Sequence, residues 1–327
     1  MNKKINELHE EGKVVLTCLI SRADQGLTNK GIPYLTLALE DSTGTLDARW
    51  WNLNADQVKA WKPGMIVEAE GDLIIHRHAL QLRVRNLKMV EDASLMDYVR
   101  SAPETTQNME AEIMQAVDGM QSPVIRTLVK NLLKKNHDAF FSWPAAVKNH
   151  HNYPGGLSFH TLSMLRTAEF VSELYPFLDQ DLLYAGIILH DMGKIHELSD
   201  PVLPEYTAAG NLIGHISMMV SQLDREAVAE GVQDTEEVML LKHMILSHHG
   251  KLEFGSPVLP MIPEAEVLTM LDNLDARMVM MKETLDSTVP GTMSPRVFAL
   301  DNRMLYRRKS TPDQEQSQEK TAGPDQD

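Results

Sequence analysis

The first part of the chain alternates between hydrophobic and polar positions, a pattern typical of β-strands that bury one face. The alternation is clearest in residues 33–40, where Leu35, Leu37 and Leu39 are separated by smaller or more polar residues. Turn-forming residues follow directly at 41–44. Five such strands are predicted, at residues 14–20, 33–40, 45–51, 65–75 and 80–87.

The order of these elements predicts a particular fold. A short helix is expected at residues 55–59, between the third and the fourth strand. Five strands with a small helix at that point are typical of the OB-fold, a small barrel that often binds single-stranded nucleic acid.

The outward faces of the predicted strands carry aromatic rings that can stack on bases and arginines that can contact phosphates. The candidate nucleic-acid-binding residues are Tyr34, Arg49, Trp51, Arg83 and Arg85, with His76 and His78 in the loop before the fifth strand. In the alternative interpretation, Trp51 covers one end of the barrel and the arginines form a solvated face.

From residue 122 onward, the apolar residues recur at helical spacing. Helices are expected around residues 124–133, 157–168, 180–189, 212–228, 235–247 and 264–283. The sequence thus predicts a multidomain chain, with an all-β OB-fold barrel followed by an all-α domain. The predicted limits are 13–92 for the barrel, 93–121 for a helical linker, 122–308 for the helical domain and 309–327 for a polar, disordered tail.

Composition narrows the choice of partner. Of 327 residues, 43% are hydrophobic and 24% are charged, which is ordinary for a globular protein. The net charge of −15 argues against binding to long duplexes, because phosphate contacts require Lys and Arg. Residues 13–90 nevertheless contain ten Lys and Arg against eight Asp and Glu, so a single strand can still bind there.

The single cysteine, Cys18, excludes an intrachain disulfide and a cysteine-based zinc cluster, and it fits a reducing compartment. No apolar run approaches the roughly 18 residues of a membrane span, and residues 1–12 contain no apolar signal core. We therefore expect a cytoplasmic protein without a membrane partner. The segment Met278–Met281 can pack in the core or against another subunit; core packing is the preferred interpretation, and a homo-oligomer is left open.

The candidate chemistry lies in the helical half. His190 and Asp191 stand side by side at the end of an apolar run, which places two kinds of metal ligand together. Glycines beside the candidate ligands, such as Gly193 and Gly214, allow backbones to approach one another. Imidazole and carboxylate donors without thiolate suit Mn, Fe, Co, Ni or Zn in a hydrolytic site. The further candidates are His160, His215, His248, His249 and Asp272.

This ordered set resembles a known ligand pattern. His160, His190-Asp191 and Asp272 are similar to the H…HD…D set of the HD-domain phosphohydrolase superfamily, which has an all-α fold and a metal-dependent site. Together with His215 and His248-His249, they resemble the longer pattern of members that hold two metals. More narrowly, the chain resembles the YhaM-type 3′→5′ exoribonucleases, which join an N-terminal OB-fold to a C-terminal HD domain. The motifs that carry this resemblance are Pro144-Ala145-Ala146, His150-His151-Asn152-Tyr153, Gly155-Gly156-Leu157, His190-Asp191-Met192-Gly193-Lys194, His248-His249-Gly250 and Leu271-Asp272-Asn273-Leu274-Asp275-Ala276.

The resemblance implies a role for each ligand. One metal would be held by His160, His190, Asp191 and Asp272, and a second by His215, His248 and His249 with Asp191 as the bridging carboxylate. Asp275 is the rival of Asp272 for the last ligand, because the two are offset by three residues on one helical face. The sequence departs from the family only at Ser158-Phe159, where a leucine and a glutamate are more usual before this histidine.

Two further positions are singled out. Asp191 and Lys194 are the predicted catalytic residues, since Lys194 follows His190 by four residues and can stabilise charge in the transition state. The alternative interpretation of Lys194 is a solvated lysine at a helix end. His150 and His151 precede a Tyr-Pro-Gly-Gly turn and can line a substrate entrance or belong to a polar loop.

The leading hypothesis is a metal-dependent exonuclease that hydrolyses single-stranded RNA from the 3′ end with a metal-activated water, with single-stranded DNA as a further candidate substrate. The resemblance implies Mn²⁺, as one ion or two, and leaves Zn, Fe and Co as alternatives. Two other hypotheses are kept. One is a nucleotide or cyclic-dinucleotide phosphohydrolase whose OB-fold is a regulatory or partner-binding module; the other is a non-catalytic nucleic-acid-binding protein.

Overall fold

The structure is a computed structural model, which describes residues 3–77, 79–147 and 151–309. The described residues form two compact units. The first combines the residues up to 98 with those from 280 onward, and the second contains residues 99–279. The predicted tail lies outside the described residues except for Lys309, and the predicted domain limits stay predictions.

A closed five-stranded barrel forms the first unit, with the strands in the order β1-β2-β3-β5-β4. All neighbouring strands are antiparallel except β3 and β5, which are parallel. This is the strand order of an OB-fold. The elements are β1 (Gly12–Leu27), β2 (Pro33–Asp41), β3 (Gly44–Trp50), the helix α1 (Ala55–Ala60), β4 (Ile66–His76) and β5 (Ala79–Met89).

The barrel core follows the predicted alternation. Leu35, Leu37 and Leu39 on β2 are buried, as expected from their shared face. The short helix α1 begins with a capping box, in which Asn54 and Gln57 each accept a hydrogen bond from the other's backbone N–H. Only β1 is much longer than predicted, because its second half has no apolar alternation to reveal it.

The residues after 287 return to the barrel as a hairpin-like segment. Thr288 pairs with Ala79 at the start of β5, and two further bridges join the two arms of the segment. A single 3₁₀ turn at Phe298–Leu300 forms its tip, where Leu300 is fully buried. The sequence pattern did not indicate this segment.

The second unit is entirely helical within its described residues. Its helices are α2 (Thr106–Gly119), α3 (Pro123–Lys135), α4 (His137–Ser142), α5 (Gly156–Leu174), α6 (Gln180–Leu189), α7 (Lys194–Glu197), α8 (Ala208–Ile213), α9 (His215–Ala229), α10 (Glu236–Ser247) and most of α11 (Pro263–Asp286). The predicted fold class, an all-β barrel plus an all-α domain, is confirmed.

Three helical features differ from the expectation. The segment predicted as a linker contains α2, which buries Met109, Ile113 and Val117 in the core of the helical unit. The helix expected at 212–228 is broken at Gly214, whose φ of 76° and ψ of 153° cannot continue a helix. Core packing of the methionine-rich segment is wrong for Met278, which is 49% exposed. No helix among the described residues is long and apolar enough to span a bilayer.

Candidate metal centre and candidate nucleic-acid interface

The helix α6 ends at Leu189, and the next residues form the tight turn that carries His190 and Asp191. Gly193 brings this turn against the start of α9, since a Cβ atom there would lie 2.2 Å from the carbonyl oxygen of His215. Lys194 begins the short helix α7 and does not continue α6. Its side chain turns back, and Nζ donates a 2.6 Å hydrogen bond to Asp191 Oδ2.

The Asp191 carboxylate, nearly fully buried, lies at the centre of the predicted ligands and faces two groups of histidines. Its Oδ2 atom is 3.5 Å from His190 Nε2 and 4.0 Å from His160 Nε2. Its Oδ1 atom is 3.4 Å from His215 Nε2 and 3.7 Å from His248 Nε2. Each oxygen therefore belongs to a different set of imidazoles.

Two of the predicted ligands complete these sets. Asp272 Oδ1 lies 3.3 Å from His160 Nε2, and these two residues and His190 offer ligand atoms within 4.8 Å of one another. On the other side, His249 forms an equally compact group with His215 and His248. The structure thus brings all seven predicted ligands together; their assignment as ligands stays a prediction.

The backbone and buried carboxylates fix the orientation of the imidazole rings. In each case Nδ1 bonds to an oxygen atom, which leaves Nε2 directed at the cluster. The acceptors are Ile187 O for His190, Ile245 O for His248, Phe254 O for His249, Glu197 Oε1 for His215 and Asp275 Oδ2 for His160. These acceptors require a proton on Nδ1, so Nε2 is the nitrogen that carries the lone pair whenever a ring is neutral.

A divalent cation fits the chemistry of this cluster. Around Asp191, four buried atoms have no hydrogen-bond partner among the described residues: Nε2 of His190, His215 and His248, and Oδ1 of Asp191 itself. An unpaired buried polar atom costs about 1–3 kcal/mol, so four of them converging on one place need an explanation. Imidazole nitrogens with a free lone pair and a carboxylate oxygen are the donors that first-row divalent ions accept.

The charges around Asp191 keep its carboxyl group ionised. Burial acts to raise the pKa of Asp191, but the Lys194 ammonium and the His190 ring outweigh it and hold that pKa well below its usual value. In return, burial acts to lower the pKa of Lys194, and the Asp191 carboxylate raises it overall. The pair is therefore a carboxylate beside an ammonium at neutral pH.

His160 lies between two carboxylates. Burial acts to lower its pKa, but hydrogen bonds to Asp272 and Asp275 raise the pKa to about 10. On the carboxylate side, burial acts to raise the pKa of Asp272 and of Asp275, and the hydrogen bonds from histidine lower both. On the opposite side of the cluster, burial and the neighbouring His190 ring lower the pKa of His248 well below its ordinary value, which favours the neutral form that binds metals.

Asp275, the rival for the last ligand, is occupied by other side chains. Its Oδ2 atom accepts hydrogen bonds from His160 Nδ1 at 2.6 Å and from His151 Nε2 at 2.7 Å. Its Oδ1 atom accepts one from Ser163 Oγ. A carboxylate with three donors is suited to orient His160, and this geometry favours Asp272 as the ligand.

The structure describes only one of the two histidines that were expected to line a substrate entrance. His150 lies outside the described residues, as does His78 of the barrel. His151 is fully buried, so it cannot line an entrance. Its Nδ1 atom bonds to the Tyr153 hydroxyl at 2.8 Å, and its φ of 50° places it in the left-handed region.

Sequence reasoning missed Glu197, a buried carboxylate in α7. Its Oε1 atom accepts hydrogen bonds from His215 Nδ1 at 3.1 Å and from the His215 backbone N–H at 3.0 Å. Burial acts to raise the pKa of Glu197, and the hydrogen bond from His215 outweighs it and lowers that pKa. The one available signal was its position three residues after Lys194, close in sequence to the His-Asp pair.

On the barrel, the predicted aromatic pair is assembled. The rings of Tyr34 and Trp51 lie 4.6 Å apart between centroids, and Trp51 is 41% exposed. The Tyr34 ring covers Gly26 on the neighbouring strand, where a Cβ atom would lie 2.3 Å from the ring. Arg49 sits 5.8 Å from the centre of the Tyr34 ring and donates to the hydroxyl of Thr36. Gly26 and Thr36 therefore shape the stacking surface.

The predicted arginines differ in whether an acidic side chain binds them. Arg83 is exposed and directly opposite Arg49 across the parallel strands β3 and β5. Arg85 is bound to Asp72, with 2.6 Å between Nε and the carboxylate oxygen. The outward face thus presents Tyr34, Trp51, Arg49 and Arg83 as one group, while Arg85 is held by an acidic neighbour.

Comparison with known families agrees with the helical site. Residues 158–277 match the family model of the HD domain, whose members are metal-dependent phosphohydrolases. All seven predicted ligands and Lys194 lie within the matched residues.

The solved structures that are similar to parts of this chain include two that are about as long as the barrel alone. The second OB-fold domain of replication protein A from Methanococcus maripaludis is 26% identical, with 29% of this chain and 99% of that chain covered and a TM-score of 0.24. The protein priB from Ralstonia solanacearum is 18% identical, with 24% and 97% covered and a TM-score of 0.21. An asparaginyl-tRNA synthetase from Entamoeba histolytica is 14% identical, with 46% and 39% covered and a TM-score of 0.25.

Proposed function

We propose that this protein is a metal-dependent 3′→5′ exonuclease that hydrolyses phosphodiester bonds of single-stranded RNA. The observation that carries the proposal is the Asp191 carboxylate, whose Oδ2 atom faces His190 and whose Oδ1 atom faces His215 and His248. The Nε2 atoms of these three rings have no hydrogen-bond partner among the described residues. A carboxylate in that position can bridge two cations. The polarity of attack rests on the resemblance to YhaM-type exoribonucleases.

Each of the two sets of residues around Asp191 would hold one metal ion. His160, His190 and Asp272 would hold one ion with Asp191 Oδ2, and His215, His248 and His249 the other with Asp191 Oδ1. Bound divalent ions would supply a water of lowered pKa and a clamp for the phosphoryl oxygens. Manganese is the expected ion, again by resemblance.

The chain's own side chains prepare the site. The Nδ1 hydrogen bonds hold the rings with Nε2 directed inward, so little reorganisation is needed when substrate arrives. Lys194 remains protonated beside Asp191, and its ammonium can stabilise the negative charge that develops on the phosphoryl oxygens. On the barrel, Tyr34 and Trp51 would stack on bases while Arg49 and Arg83 contact phosphates.

The test is a time course on an unstructured RNA labelled at its 5′ end, with Mn²⁺, with a chelator, and with an Asp191→Ala variant. A matched control is Asp234→Ala, which removes an exposed carboxylate of the same unit. We expect a ladder of shortening labelled products that requires metal and Asp191 and is unchanged in the control.

Other outcomes would contradict the proposal in different ways. Immediate release of a labelled mononucleotide would indicate attack from the 5′ end, and a few internal fragments would indicate an endonuclease. Intact RNA in every reaction, combined with hydrolysis of nucleotides or cyclic dinucleotides, would replace the exonuclease with the small-molecule phosphohydrolase. If no divalent ion binds to the purified protein, no enzymatic function of this site remains.

A further inference from the structure

The C-terminal hairpin, defined as residues 288–309, differs in charge from the rest of the protein. It contains five basic side chains and one acidic side chain, in a chain whose net charge is −15. The basic residues are Arg296, Arg303, Arg307, Arg308 and Lys309, and the acidic residue is Asp301. A local balance of +4 in so acidic a protein marks this segment as a place where a polyanion can bind.

Two of the arginines support the hairpin itself. Arg307 Nη1 donates to the carbonyls of Asp286 and Thr288, at 3.0 and 2.6 Å. Arg303 Nε donates to the carbonyl of Leu300, and its guanidinium lies 3.5 Å from the Asp301 carboxylate. These contacts hold the two arms together.

The remaining three basic side chains keep their charges exposed to solvent. Arg296, Arg308 and Lys309 are exposed, and none of them forms an ion pair within residues 3–77, 79–147 and 151–309. Arg296 donates one hydrogen bond to the Asn302 carbonyl, which positions its charge near the tip. Three solvated cations on one hairpin are available to neutralise phosphates.

The tip of the hairpin presents aromatic surface. Phe298 is 91% exposed, although Leu300, two residues later in the same 3₁₀ turn, is fully buried. Tyr306, on the returning arm, is 54% exposed. Exposed rings among cations are the combination that binds unpaired bases and their backbone, because each base offers a face for stacking.

The hairpin is attached to the barrel at a particular loop. Thr288 pairs with Ala79, the first residue of β5, and Arg307 is bound to the Thr288 carbonyl. Arg308 and Lys309 follow directly, and Arg77 of the β4–β5 loop is exposed two residues before Ala79. In OB-folds the β4–β5 loop, with the β1–β2 loop, borders the face that binds oligonucleotides.

We infer that the C-terminal hairpin is a second binding element for single-stranded nucleic acid, which extends the barrel surface with phosphate contacts from Arg296, Arg308 and Lys309 and a stacking contact from Phe298. The inference rests on the proposed function in one respect, namely that a single strand is the ligand. Gln81 and Arg83 on β5 separate Ala79 from the aromatic pair, so a strand crossing the barrel face toward the β4–β5 loop would meet the hairpin next.

The experiment measures the fluorescence anisotropy of a labelled oligouridylate with the full-length protein, in chelator and over a range of NaCl concentrations. The charge variant is Arg296→Ala/Arg308→Ala/Lys309→Ala, and the stacking variant is Phe298→Ala. The matched controls are Arg225→Ala and Phe170→Ala, which remove an exposed arginine and an exposed phenylalanine from the helical unit.

We expect the charge variant to bind roughly tenfold more weakly at low salt, with the slope of log K against log salt reduced by about 2, because each phosphate contact to a single strand contributes about 0.7. Phe298→Ala should weaken binding about fivefold or more with no change in that slope. The Arg296→Lys/Arg308→Lys variant keeps the charges and should keep the slope, which separates lost charge from a damaged hairpin.

The outcomes separate the two proposals. If wild-type protein binds the oligonucleotide and the hairpin variants bind as the controls do, the hairpin inference is wrong and the proposed function is untouched. If wild-type protein binds neither oligouridylate nor oligothymidylate, the hairpin inference fails together with the nucleic-acid part of the proposed function. Weakening confined to the hairpin variants supports the inference.

Discussion

Asp275 and Asp272 lie one helical turn apart on α11, yet their surroundings give them different tasks. Asp275 accepts hydrogen bonds from His151, His160 and Ser163, whereas Asp272 faces the Nε2 side of His160. A carboxylate that holds the distal nitrogen of a ligating imidazole sets the ring orientation and raises its basicity. The chain Tyr153–His151–Asp275 would therefore tune the first metal position through His160, without touching the ion itself.

This division of tasks predicts different results for two equivalent substitutions. Asp275→Asn keeps the size of the side chain but weakens its hold on the two histidines, so we expect the affinity for Mn²⁺ to fall about 10- to 100-fold. Excess metal should then restore much of the activity. Asp272→Asn removes a ligand, and excess metal should not restore activity. The measurement is a metal titration followed by activity and by calorimetry.

Ser163→Ala serves as the control, because it removes only the hydroxyl that donates to Asp275. We expect its metal affinity to change much less than that of Asp275→Asn. If Asp275→Asn is inactive at every metal concentration while Asp272→Asn is rescued, the two assignments must be exchanged.

The sequence predicted the residues that the structure brings together around Asp191, but it did not predict the contacts that support them. His190-Asp191 and the separated histidines are recognisable by residue type and order. Glu197 and His151 gain their roles from hydrogen bonds that close only in three dimensions. The complete burial of His151 could not be predicted from the sequence either. It depends on a left-handed backbone at φ 50° and on the close approach of Gly156, where a Cβ atom would lie 2.1 Å from the His151 carbonyl oxygen.

At the scale of elements, glycines set how closely backbones approach. Gly193 lets the His190-Asp191 turn touch the first residue of α9, so the two ligand sets meet at Asp191 because this contact is tight. The sequence had indicated that glycines beside ligands would permit such approaches. It could not indicate which helix would come against which turn.

We predict that Gly193→Ala separates the His215 set from Asp191. The added Cβ atom would lie 2.2 Å from a backbone oxygen that cannot move aside cheaply, so we expect a loss of about 1–3 kcal/mol of stability. Metal affinity should fall as well, because His215 is displaced. Thermal unfolding with and without Mn²⁺ measures both effects.

The control for this prediction is Gly119→Ala at the end of α2, where no atom lies within 4 Å of the added Cβ. We expect the stability of that variant to stay within about 1 kcal/mol of wild type, since alanine in a compatible conformation reduces the entropy of the unfolded chain. Unchanged stability and metal affinity in Gly193→Ala would show that α9 adjusts, contrary to the prediction.

Strands and long helices with clear periodicity were predictable, while elements stabilised by tertiary contacts were not. β2 and α6 have the predicted pattern along their whole length. The second half of β1 and the C-terminal hairpin have no apolar alternation, and they form because neighbouring strands supply hydrogen bonds. α2 looked like a connector because its buried residues, Met109, Ile113 and Val117, are sparse along a polar helix.

On the scale of the whole molecule, the candidate chemistry and the candidate binding surface belong to different units. All predicted ligands lie within residues 99–279, and the aromatic and basic surface belongs to the barrel unit. The net charge of −15 therefore misrepresents the barrel, where basic residues slightly exceed acidic ones between residues 13 and 90. Binding and hydrolysis should consequently be separable by substitution in the intact protein.

We predict opposite defects for two full-length variants. Asp191→Ala should abolish hydrolysis yet bind labelled oligouridylate within about twofold of wild type, since stacking and phosphate contacts carry the affinity. Arg49→Ala/Trp51→Ala should bind at least tenfold more weakly, because stacking contributes about 1–3 kcal/mol per base. It should still hydrolyse bis-p-nitrophenyl phosphate with Mn²⁺ at the wild-type rate.

Circular dichroism of both variants controls for misfolding, which matters most for Asp191→Ala because Lys194 loses its buried partner. The informative comparison is the rate of hydrolysis of the unstructured RNA against the rate of hydrolysis of bis-p-nitrophenyl phosphate. If the barrel variant degrades RNA as fast as wild type, the barrel does not guide substrate and the cluster acts on RNA unaided. If instead the wild-type protein does not hydrolyse RNA while it cleaves both the ester and nucleotides, the barrel is a regulatory module and the site is that of a small-molecule phosphohydrolase.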